Sequence, residues 1–390
     1  MRIAHVITRL IVGGAQENTV LTCEGLMRAH GEQVLLIAGP PLGPEGSLVD
    51  QARAGGIPLE IVPQLRREIH PGRDVGSYFA IKRLLQGYRP DVVHTHSGKA
   101  GLLGRQAAHS LGVPAIVHTV HGAPFHPYQG RGARALFCAC ERYAARRCHA
   151  LVSVADALTG SLVQAGVAPR EKFTTIYSGM EVDAFLAADG HRQRMRQALG
   201  YSDQNVVVGK IARLFPLKGH EYLIAAAKQV VAQNPLVRFL LVGGGVLAGR
   251  LRDAVSRAGL DSFFNFTGLV PVEEIPAFLG AIDILVHASL REGLARVLPQ
   301  ALIAGKPVVS YDVDGAREVV VPDQTGFLLP PAATDEMAAA IVRLAGDAAL
   351  RERLGAEGRR RCRDVFRHEH MTRQIHDLYG RVLAQPASRT

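Results

Sequence analysis

The sequence lacks the long apolar run of a membrane-spanning protein and the paired cysteines of a disulfide-rich secreted one. It contains no stretch of about 18 uncharged apolar residues, so we expect no transmembrane helix. The amino terminus has the pattern of a strand followed by a loop and carries no signal-peptide cleavage site. The five cysteines are odd in number, which favours reduced thiols. These absences predict a cytoplasmic protein.

Motifs typical of several other protein classes are also absent. There is no H-E-x-x-H helix and no D-x-D pair, and Cys138 and Cys140 have no second pair of ligands at zinc-site spacing. The glycines after the first strand do not form the G-x-G-x-x-G fingerprint, which disfavours a nicotinamide-dependent oxidoreductase. No aromatic residues are interleaved with the basic ones as a base-stacking platform, so nucleic acid is not an expected partner.

The pattern that is present predicts parallel sheets with crossover helices, because short apolar β runs alternate with helical stretches. A chain of 390 residues with 47% hydrophobic content is long enough for two or three domains. The first series of predicted strands is Ile3–Ile7, Val34–Ala38, Leu59–Val62, Asp91–Thr95, Ala115–Thr119, Leu151–Val154 and Phe173–Ile176. The second series is Val206–Ile211, Val237–Val242, Phe263–Thr267, Ile282–Val286, Pro307–Ser310 and Gly326–Leu329.

Residues 181–205 separate the two series and show no strand pattern, so we interpret them as the linker. The predicted fold class is α/β, with two doubly wound Rossmann-like domains that face each other across a cleft. We expect the domains at residues 1–185 and 186–368, followed by a last helical segment at 369–390.

The net charge of +10 predicts an acidic partner such as nucleotide phosphates or an anionic membrane. The basic residues are locally dense between Arg131 and Arg147, where a helix would be amphipathic. Helices of this kind lie on anionic bilayers. The segment therefore predicts peripheral attachment to the inner face of the cytoplasmic membrane, and an ordinary solvated face remains the alternative.

The most informative segment is Arg291–Ser310, which joins an acidic residue and a glycine to an apolar run of helical spacing. A glutamate before a helix lies beside free N–H groups and can help to hold a phosphorylated ligand. The segment resembles the E-x7-E signature of retaining glycosyltransferase family 4. Glu292 matches the first acid, whereas Gln300 occupies the second position and departs from the pattern.

The resemblance covers nearly the whole chain and implies the GT-B fold. In that fold, the donor nucleotide binds to the C-terminal domain and the last helix crosses back to the N-terminal one. The resemblance also implies a nucleotide-sugar donor, a hydroxyl acceptor and retention of the anomeric configuration. Family members that act on cell-surface glycans favour a lipid-linked or polysaccharide acceptor, and a small-molecule acceptor stays open.

Two cations in one strand-to-helix loop, Arg213 and Lys218, can grip a diphosphate. In the family, the matching residues neutralise the departing diphosphate, so the resemblance predicts that no metal ion or other cofactor is required. Glu292 would accept hydrogen bonds from the sugar, and the N–H groups of Gly293 and Leu294 would face the distal phosphate. Gln300 would keep a weaker contact to the ribose.

The remaining site residues are also predicted from the resemblance. Gly244 would let the backbone approach the nucleotide, and Leu269 and Val270 would contact the base. In the N-terminal domain, Gly13 and Gly14 would approach phosphate and acceptor. His121 would border the transferred sugar as part of the catalytic set with Arg213, Lys218 and Glu292.

The expected reaction is transfer of a sugar from a UDP- or GDP-sugar to an acceptor hydroxyl. No carboxylate in these motifs stands out as a covalent nucleophile, so a two-carboxylate scheme like that of hydrolases is not supported. The departing phosphate is the expected proton acceptor. Two alternatives remain besides the oxidoreductase. One is a sugar-nucleotide epimerase of the same fold, and the other is a scaffold that binds sugar nucleotide without transferring it.

Overall fold

The computed structural model describes residues 1–43 and 45–385, and it divides the chain into two compact units. Unit 1 consists of Met1–Met180 and the segment from His368 onward. Unit 2 is the continuous stretch Glu181–Arg367. Both units have the α/β architecture predicted from the alternation of apolar runs and helical stretches.

Unit 1 is built on a seven-stranded sheet in the order β3-β2-β1-β4-β5-β6-β7, and all neighbouring strands are parallel. Its central strands are buried along almost their whole length, as expected when helices cover both faces of a parallel sheet. The strands are β1 (Arg2–Ile7), β2 (Gln33–Ala38), β3 (Leu59–Ile61), β4 (Val92–His96), β5 (Ala115–Val120), β6 (Ala150–Ser153) and β7 (Phe173–Thr175). The helices are α1 (Gly14–His30), α2 (Val49–Ala54), α3 (Pro71–Tyr88), α4 (Gly98–Ser110), α5 (Arg131–Ala145), α6 (Asp156–Gln164) and α15 (His368–Ala384).

The last helix, α15, packs against α1 and belongs to the core of unit 1. Its Tyr379 hydroxyl lies 2.6 Å from Nδ1 of His94 on β4, and both side chains are fully buried. The Asn18 side chain of α1 donates to the Met371 sulfur at 3.0 Å. These contacts, together with buried Ile375, make α15 a structural part of the unit that the first 180 residues build.

Unit 2 has a six-stranded parallel sheet in the order β10-β9-β8-β11-β12-β13. Its strands are β8 (Val206–Ile211), β9 (Val237–Val242), β10 (Phe264–Gly268), β11 (Ile284–His287), β12 (Val308–Tyr311) and β13 (Gly326–Leu329). Its helices are α7 (Val182–Leu186), α8 (Arg192–Ala198), α9 (His220–Gln233), α10 (Ala248–Arg257), α11 (Ile275–Ala281), α12 (Val297–Ile303), α13 (Thr334–Gly346) and α14 (Ala348–Cys362).

The interpretation of residues 181–205 as a linker is wrong, because this stretch is an integral part of unit 2. It contains α7 and α8, and α8 packs on α11. Arg196 is buried and binds the Asp283 carboxylate at 3.1 Å, while Arg192 binds the same carboxylate at 2.6 Å. A stretch without strand periodicity can therefore still be anchored, here by arginines whose partner lies far along the chain.

Each sheet has one point where the strand order reverses direction. In unit 1 it lies between β1 and β4, and in unit 2 between β8 and β11. Because all strands of a sheet are parallel, their carboxyl ends meet at one edge, and a crevice forms where the order reverses. We therefore expect a ligand-binding site in the loops after these four strands.

Two further features concern the chemistry of the chain. All five cysteines are free thiols. Across residues 1–43 and 45–385, no helix combines the length and the apolar character that crossing a bilayer requires.

Candidate active site

The loops after β8 and β11 are joined by an ion pair at the reversal point of unit 2. Lys218 Nζ lies 2.5 Å from Oε1 of Glu292, and the two side chains are 21% and 19% exposed. The same carboxylate oxygen lies 3.5 Å from Nε2 of His287, the last residue of β11. The structure thus brings together two of the four predicted catalytic residues, although they stand far apart in the sequence.

The electrostatic environment keeps Glu292 ionised. Burial opposes its charge, but the Lys218 ammonium and the His287 side chain outweigh burial and hold the pKa of Glu292 well below its usual range. Burial also lowers the pKa of His287, despite the neighbouring carboxylate. Glu292 is therefore a fixed negative charge and a hydrogen-bond acceptor at neutral pH.

Asp314 shapes the loop that carries Glu292. Its carboxylate accepts a hydrogen bond of 2.5 Å from the Glu292 N–H, and Gly315 N–H donates to the Gly293 carbonyl at 3.0 Å. Asp314 has a φ of 48°, in the left-handed region that favours glycine. The hydrogen bond to Glu292 offsets the strain of this conformation.

The helix after Glu292 begins later than its apolar spacing predicts. It spans Val297–Ile303, whereas Gly293 and Leu294 lie in the preceding loop. The reason is Pro299, which lacks an N–H and is tolerated in the first turn of a helix but not in its interior. Gln300 lies within this helix and is only 8% exposed.

The loop after β8 carries Arg213 and Lys218 and has a tightly constrained backbone. Gly219, which precedes α9, has a φ of 67°, and a Cβ there would lie 1.9 Å from the Ala288 carbonyl oxygen. Glycine is therefore required where this loop meets the end of β11. Arg213 is exposed, and its guanidinium lies 5.1 Å from the centre of the Phe215 ring.

The other predicted donor-binding residues of unit 2 lie at the same edge of the sheet. Gly244 follows β9, and its carbonyl accepts a hydrogen bond of 2.8 Å from Leu214 N–H. Leu269 and Val270 follow β10, and Leu269 is 53% exposed. A Cβ added to Gly244 would lie 3.3 Å from Leu269, so the loops after β9 and β10 are in contact.

Lys210 and His287 are site neighbours that the sequence analysis missed. Lys210 lies in β8, is 1% exposed, and its Nζ has no hydrogen-bond partner within the described part of the chain. Burial, helped by the nearby charge of Lys218 and opposed by that of Glu292, lowers the pKa of Lys210 to about 7. The available signal was a lysine inside the otherwise apolar strand VVVGKI.

In unit 1, Gly13 and Gly14 are placed at the start of α1, after β1. The φ of Gly13 is 171°, an extended conformation that any residue adopts. A Cβ at Gly13 would meet only the flexible end of Gln16, at 2.8 Å. Backbone conformation therefore does not require glycine at position 13.

His121 directly follows β5, at the carboxyl edge of the unit 1 sheet. Its Nε2 lies 3.1 Å from Nδ1 of His96, a fully buried residue at the end of β4. His94 and His118 lie inside the sheet. His94 contacts Tyr379 and Thr119, and His118 contacts the Thr95 hydroxyl at 2.9 Å.

Both halves of the sequence match models of one enzyme family. Residues 13–179 match the glycosyl transferase 4-like domain, and residues 191–361 match the glycosyl transferases of group 1. The two matches coincide with the two structural units apart from short margins.

Proteins of known activity are similar over most of their length. The chain is 28% identical to the UDP-Gal:alpha-D-GlcNAc-diphosphoundecaprenol alpha-1,3-galactosyltransferase of Escherichia coli, with 90% of this chain and 89% of that protein aligned. It is also 28% identical to the GDP-mannose-dependent alpha-mannosyltransferase of Mycobacterium tuberculosis, with 82% of this chain and 80% of that protein aligned.

Solved structures show the same fold. The Anabaena protein HepE in complex with UDP-glucose has a TM-score of 0.82 at 23% identity, covering 98% of this chain and 100% of that one. Sucrose-phosphate synthase from Thermosynechococcus elongatus has a TM-score of 0.84 at 22% identity, covering 98% and 99%. These similarities identify the fold as GT-B.

Replacing Lys210 with Met should stabilise the protein, and the gain should depend on pH. Below about pH 7 the folded protein holds a buried charge that the variant lacks. As pH rises from about 7 towards the ordinary lysine value of about 10.4, the wild type recovers stability because only its unfolded state still binds the proton. We expect a gain on the order of a few kcal/mol at pH 6 that shrinks by pH 9.

Urea unfolding of both proteins at three pH values measures this gain. Lys228→Met, on the exposed side of α9, is the control and should show a small change that is the same at every pH. An equal gain for Lys210→Met at pH 6 and pH 9 would contradict the assignment of a buried titrating lysine.

Proposed function

The chain belongs to the group 1 and family 4 glycosyltransferases of the GT-B fold, and from this premise we propose that it moves a sugar from a nucleoside diphosphate sugar to a hydroxyl group with retention of configuration. The observation that carries the proposal is the ion pair Lys218–Glu292 at the reversal point of the unit 2 sheet, with exposed Arg213 in the same loop as Lys218. The Lys218 ammonium suits the diphosphate of a nucleotide sugar, and the ionised Glu292, which accepts hydrogen bonds, suits the hydroxyls of its sugar.

In this proposal, Arg213 and Lys218 stabilise the charge that grows on the departing diphosphate. Such electrostatic stabilisation is strongest where the charged groups are fixed before the reaction starts. Lys218 is fixed by its bond to Glu292, and its loop is fixed by the close packing of Gly219 against Ala288. Two positive side chains supply the charge compensation that a divalent cation supplies elsewhere, so we propose that transfer needs no metal ion.

Glu292 acts as an acceptor for sugar hydroxyls, since its low pKa keeps it ionised. Its ion pair with Lys218 makes it a poor covalent nucleophile, and the departing phosphate takes the proton of the acceptor hydroxyl. Gln300 binds the ribose, Gly244 lets the backbone approach the phosphates, and Leu269 and Val270 contact the base. Gly293 and Leu294 face the distal phosphate from the loop, not from a helix terminus.

We also propose that His121 hydrogen-bonds a hydroxyl of the transferred sugar and that Gly13 and Gly14 approach the acceptor. We propose a lipid-linked acceptor. The Escherichia coli relative is named for a diphosphoundecaprenol-linked substrate, which supports this choice. No observation on the described residues favours the epimerase or the non-catalytic scaffold.

The helix α5 supports attachment to an anionic membrane surface. Its first six residues are all exposed, among them Arg131, Arg134 and Leu136, and Leu136 is 57% exposed. Not every arginine of this segment is available for lipid headgroups, because Arg142 donates to the Ala165 carbonyl at 2.5 Å and Arg147 stacks on Tyr143 at 3.5 Å. The start of the helix is therefore the proposed contact.

The donor is identified by thermal unfolding with UDP, GDP, ADP and their sugar conjugates, with and without EDTA. A ligand that binds only the folded state raises the unfolding temperature by mass action. We expect UDP or GDP ligands to raise it, equally in EDTA. A shift that EDTA abolishes would contradict the metal-free proposal, and no shift with any nucleotide would contradict the donor site in unit 2.

Lys218→Met and Arg213→Met should each lower turnover by about 100- to 1,000-fold, because each removes charge stabilisation of the departing diphosphate. Initial rates with the donor identified above measure the loss, and the unfolding temperature shows that the fold survives. Lys228→Met, which removes the same charge from an exposed face of α9, is the matched control and should keep full activity. Unchanged turnover in both site variants would contradict the proposal that Arg213 and Lys218 stabilise the departing diphosphate.

The triple variant Arg131→Gln, Arg134→Gln, Leu136→Gln should sediment much less with vesicles of anionic phospholipid than the wild type. Each charge near an anionic surface contributes about 1 kcal/mol, so two lost charges alone predict a drop of about tenfold or more in partitioning. Arg250→Gln with Arg257→Gln, on α10 of unit 2, removes the same charge elsewhere and should leave sedimentation unchanged. Equal sedimentation of all three proteins would leave α5 as an ordinary solvated face.

A further inference from the structure

Three histidines of unit 1 form a chain of end-to-end hydrogen bonds that runs from the interior of the sheet to His121. His5 on β1 has its Nδ1 3.0 Å from Nε2 of His96, and Nδ1 of His96 is 3.1 Å from Nε2 of His121. The ring centres are 5.3 Å and 5.4 Å apart, with interplanar angles of 12° and 30°. When ring centres are this distant and the facing nitrogens are only about 3 Å apart, the rings contact each other at their edges, through the N–H of one ring and the bare nitrogen of the other.

The same region offers an arrangement that could suggest a metal site. Ring nitrogens of His5, His94 and His96 lie within 4.8 Å of one another. However, His94 uses its two nitrogens towards Tyr379 and Thr119, at 2.6 Å and 2.7 Å, and its ring stacks on His96 at 4.4 Å. Stacked rings do not aim their lone pairs at one point, so the geometry favours a relay over a ligand set.

The buried members of the chain are neutral. His5 and His96 are fully buried, and burial lowers the pKa of His5 to about 3 and that of His96 well below its ordinary value. A neutral imidazole carries one N–H and one bare nitrogen, so it donates at one end and accepts at the other. Consequently all bonds of the chain must run in the same direction.

We propose that His96 is a positioning residue that couples the tautomer of His121 to that of the buried His5. If His5 donates outward, all three rings carry their proton on Nδ1, and if a neutral His121 donates inward, all three carry it on Nε2. The Nδ1 of His121 is accordingly protonated in the first case and bare in the second. The interior of unit 1 thereby biases which ring nitrogen of His121 carries the proton.

His5 is the end of the chain that sets this choice. Its Nε2 is buried and has no hydrogen-bond partner within the described residues. An unpaired N–H and an unpaired bare nitrogen carry different desolvation penalties in such a place, and either penalty is about 1–3 kcal/mol. A difference of that order at one end biases the tautomer of every ring in a coupled chain.

The experiment is NMR of the whole protein labelled with ¹⁵N-histidine, which separates protonated from bare ring nitrogens and needs neither donor nor acceptor. His121 is assigned from the spectrum of His121→Ala, and His5 and His96 from their own Leu variants. In the wild type we expect one matched tautomer on all three rings. Different tautomers on His96 and His121 would overturn the proposal without reference to any variant.

The variants test the coupling itself. His5→Leu should shift both ring nitrogens of His121 towards a mixture of tautomers, although the two residues share no contact in the chain of bonds. His118→Leu is the matched control, since His118 is as deeply buried, lies on the strand that leads to His121, and is outside the relay. An unchanged His121 spectrum in His5→Leu, or an equal change in His118→Leu, would reject the relay.

The conservative variant His96→Asn distinguishes a positioning role of His96 from a packing role. His96→Asn keeps an amide near the place of Nδ1 that can hold a hydrogen bond to His121 in one orientation, whereas His96→Leu holds none. We expect a single His121 tautomer in His96→Asn and a mixture in His96→Leu. A mixture in both variants would mean that His96 acts only through packing, and this also rejects the proposal.

The link to catalysis rests on the proposed role of His121 in sugar transfer. With that role, His96→Leu lowers kcat at least tenfold, leaves KM for the donor nearly unchanged, and is rescued by His96→Asn. If the NMR results hold and His121→Ala is fully active, the relay stands and the role of His121 in transfer fails.

Discussion

The parallel direction of every strand is the constraint on which the rest of this protein depends. It brings the carboxyl ends of all strands in a sheet to one edge, and the reversal of strand order opens that edge at one point. In unit 2, the edge collects residues as distant in sequence as Arg213 and Glu292. In unit 1, it places His96 and His121 on neighbouring strand ends. The chemistry of the chain follows from this geometry more than from any single motif.

The ion pair between Lys218 and Glu292 shows how the site is prepared before a ligand arrives. Each side chain holds the other in place, and Asp314 fixes the backbone that carries Glu292. Charges held this way need little reorganisation when a diphosphate arrives. Lys210 in β8 is buried near these charges, and within the described residues its Nζ has no hydrogen-bond partner, so its ammonium form is costly to hold there.

Sequence patterns predicted the strands well because central parallel strands are apolar on both faces and stand out as uninterrupted runs. The predicted and observed strands β8 and β9 coincide. Patterns failed where the decisive partner lies elsewhere in the chain. Arg196 anchors residues 181–205 through Asp283, so a supposed linker became part of unit 2, and Pro299 shifted the start of α12. The burial of Lys210 and the bonds of His96 likewise depend on neighbours that only the folded chain supplies.

The return of α15 to unit 1 bears on how the protein is made. The ribosome releases the first 180 residues long before the segment that carries Met371, Ile375 and Tyr379 has been synthesised. Until then, the core of unit 1 lacks one of its helices and His94 lacks the Tyr379 hydroxyl. Unit 2 is continuous, so it is free to complete its fold first. The domain whose translation begins first therefore cannot complete its core until α15 has been made.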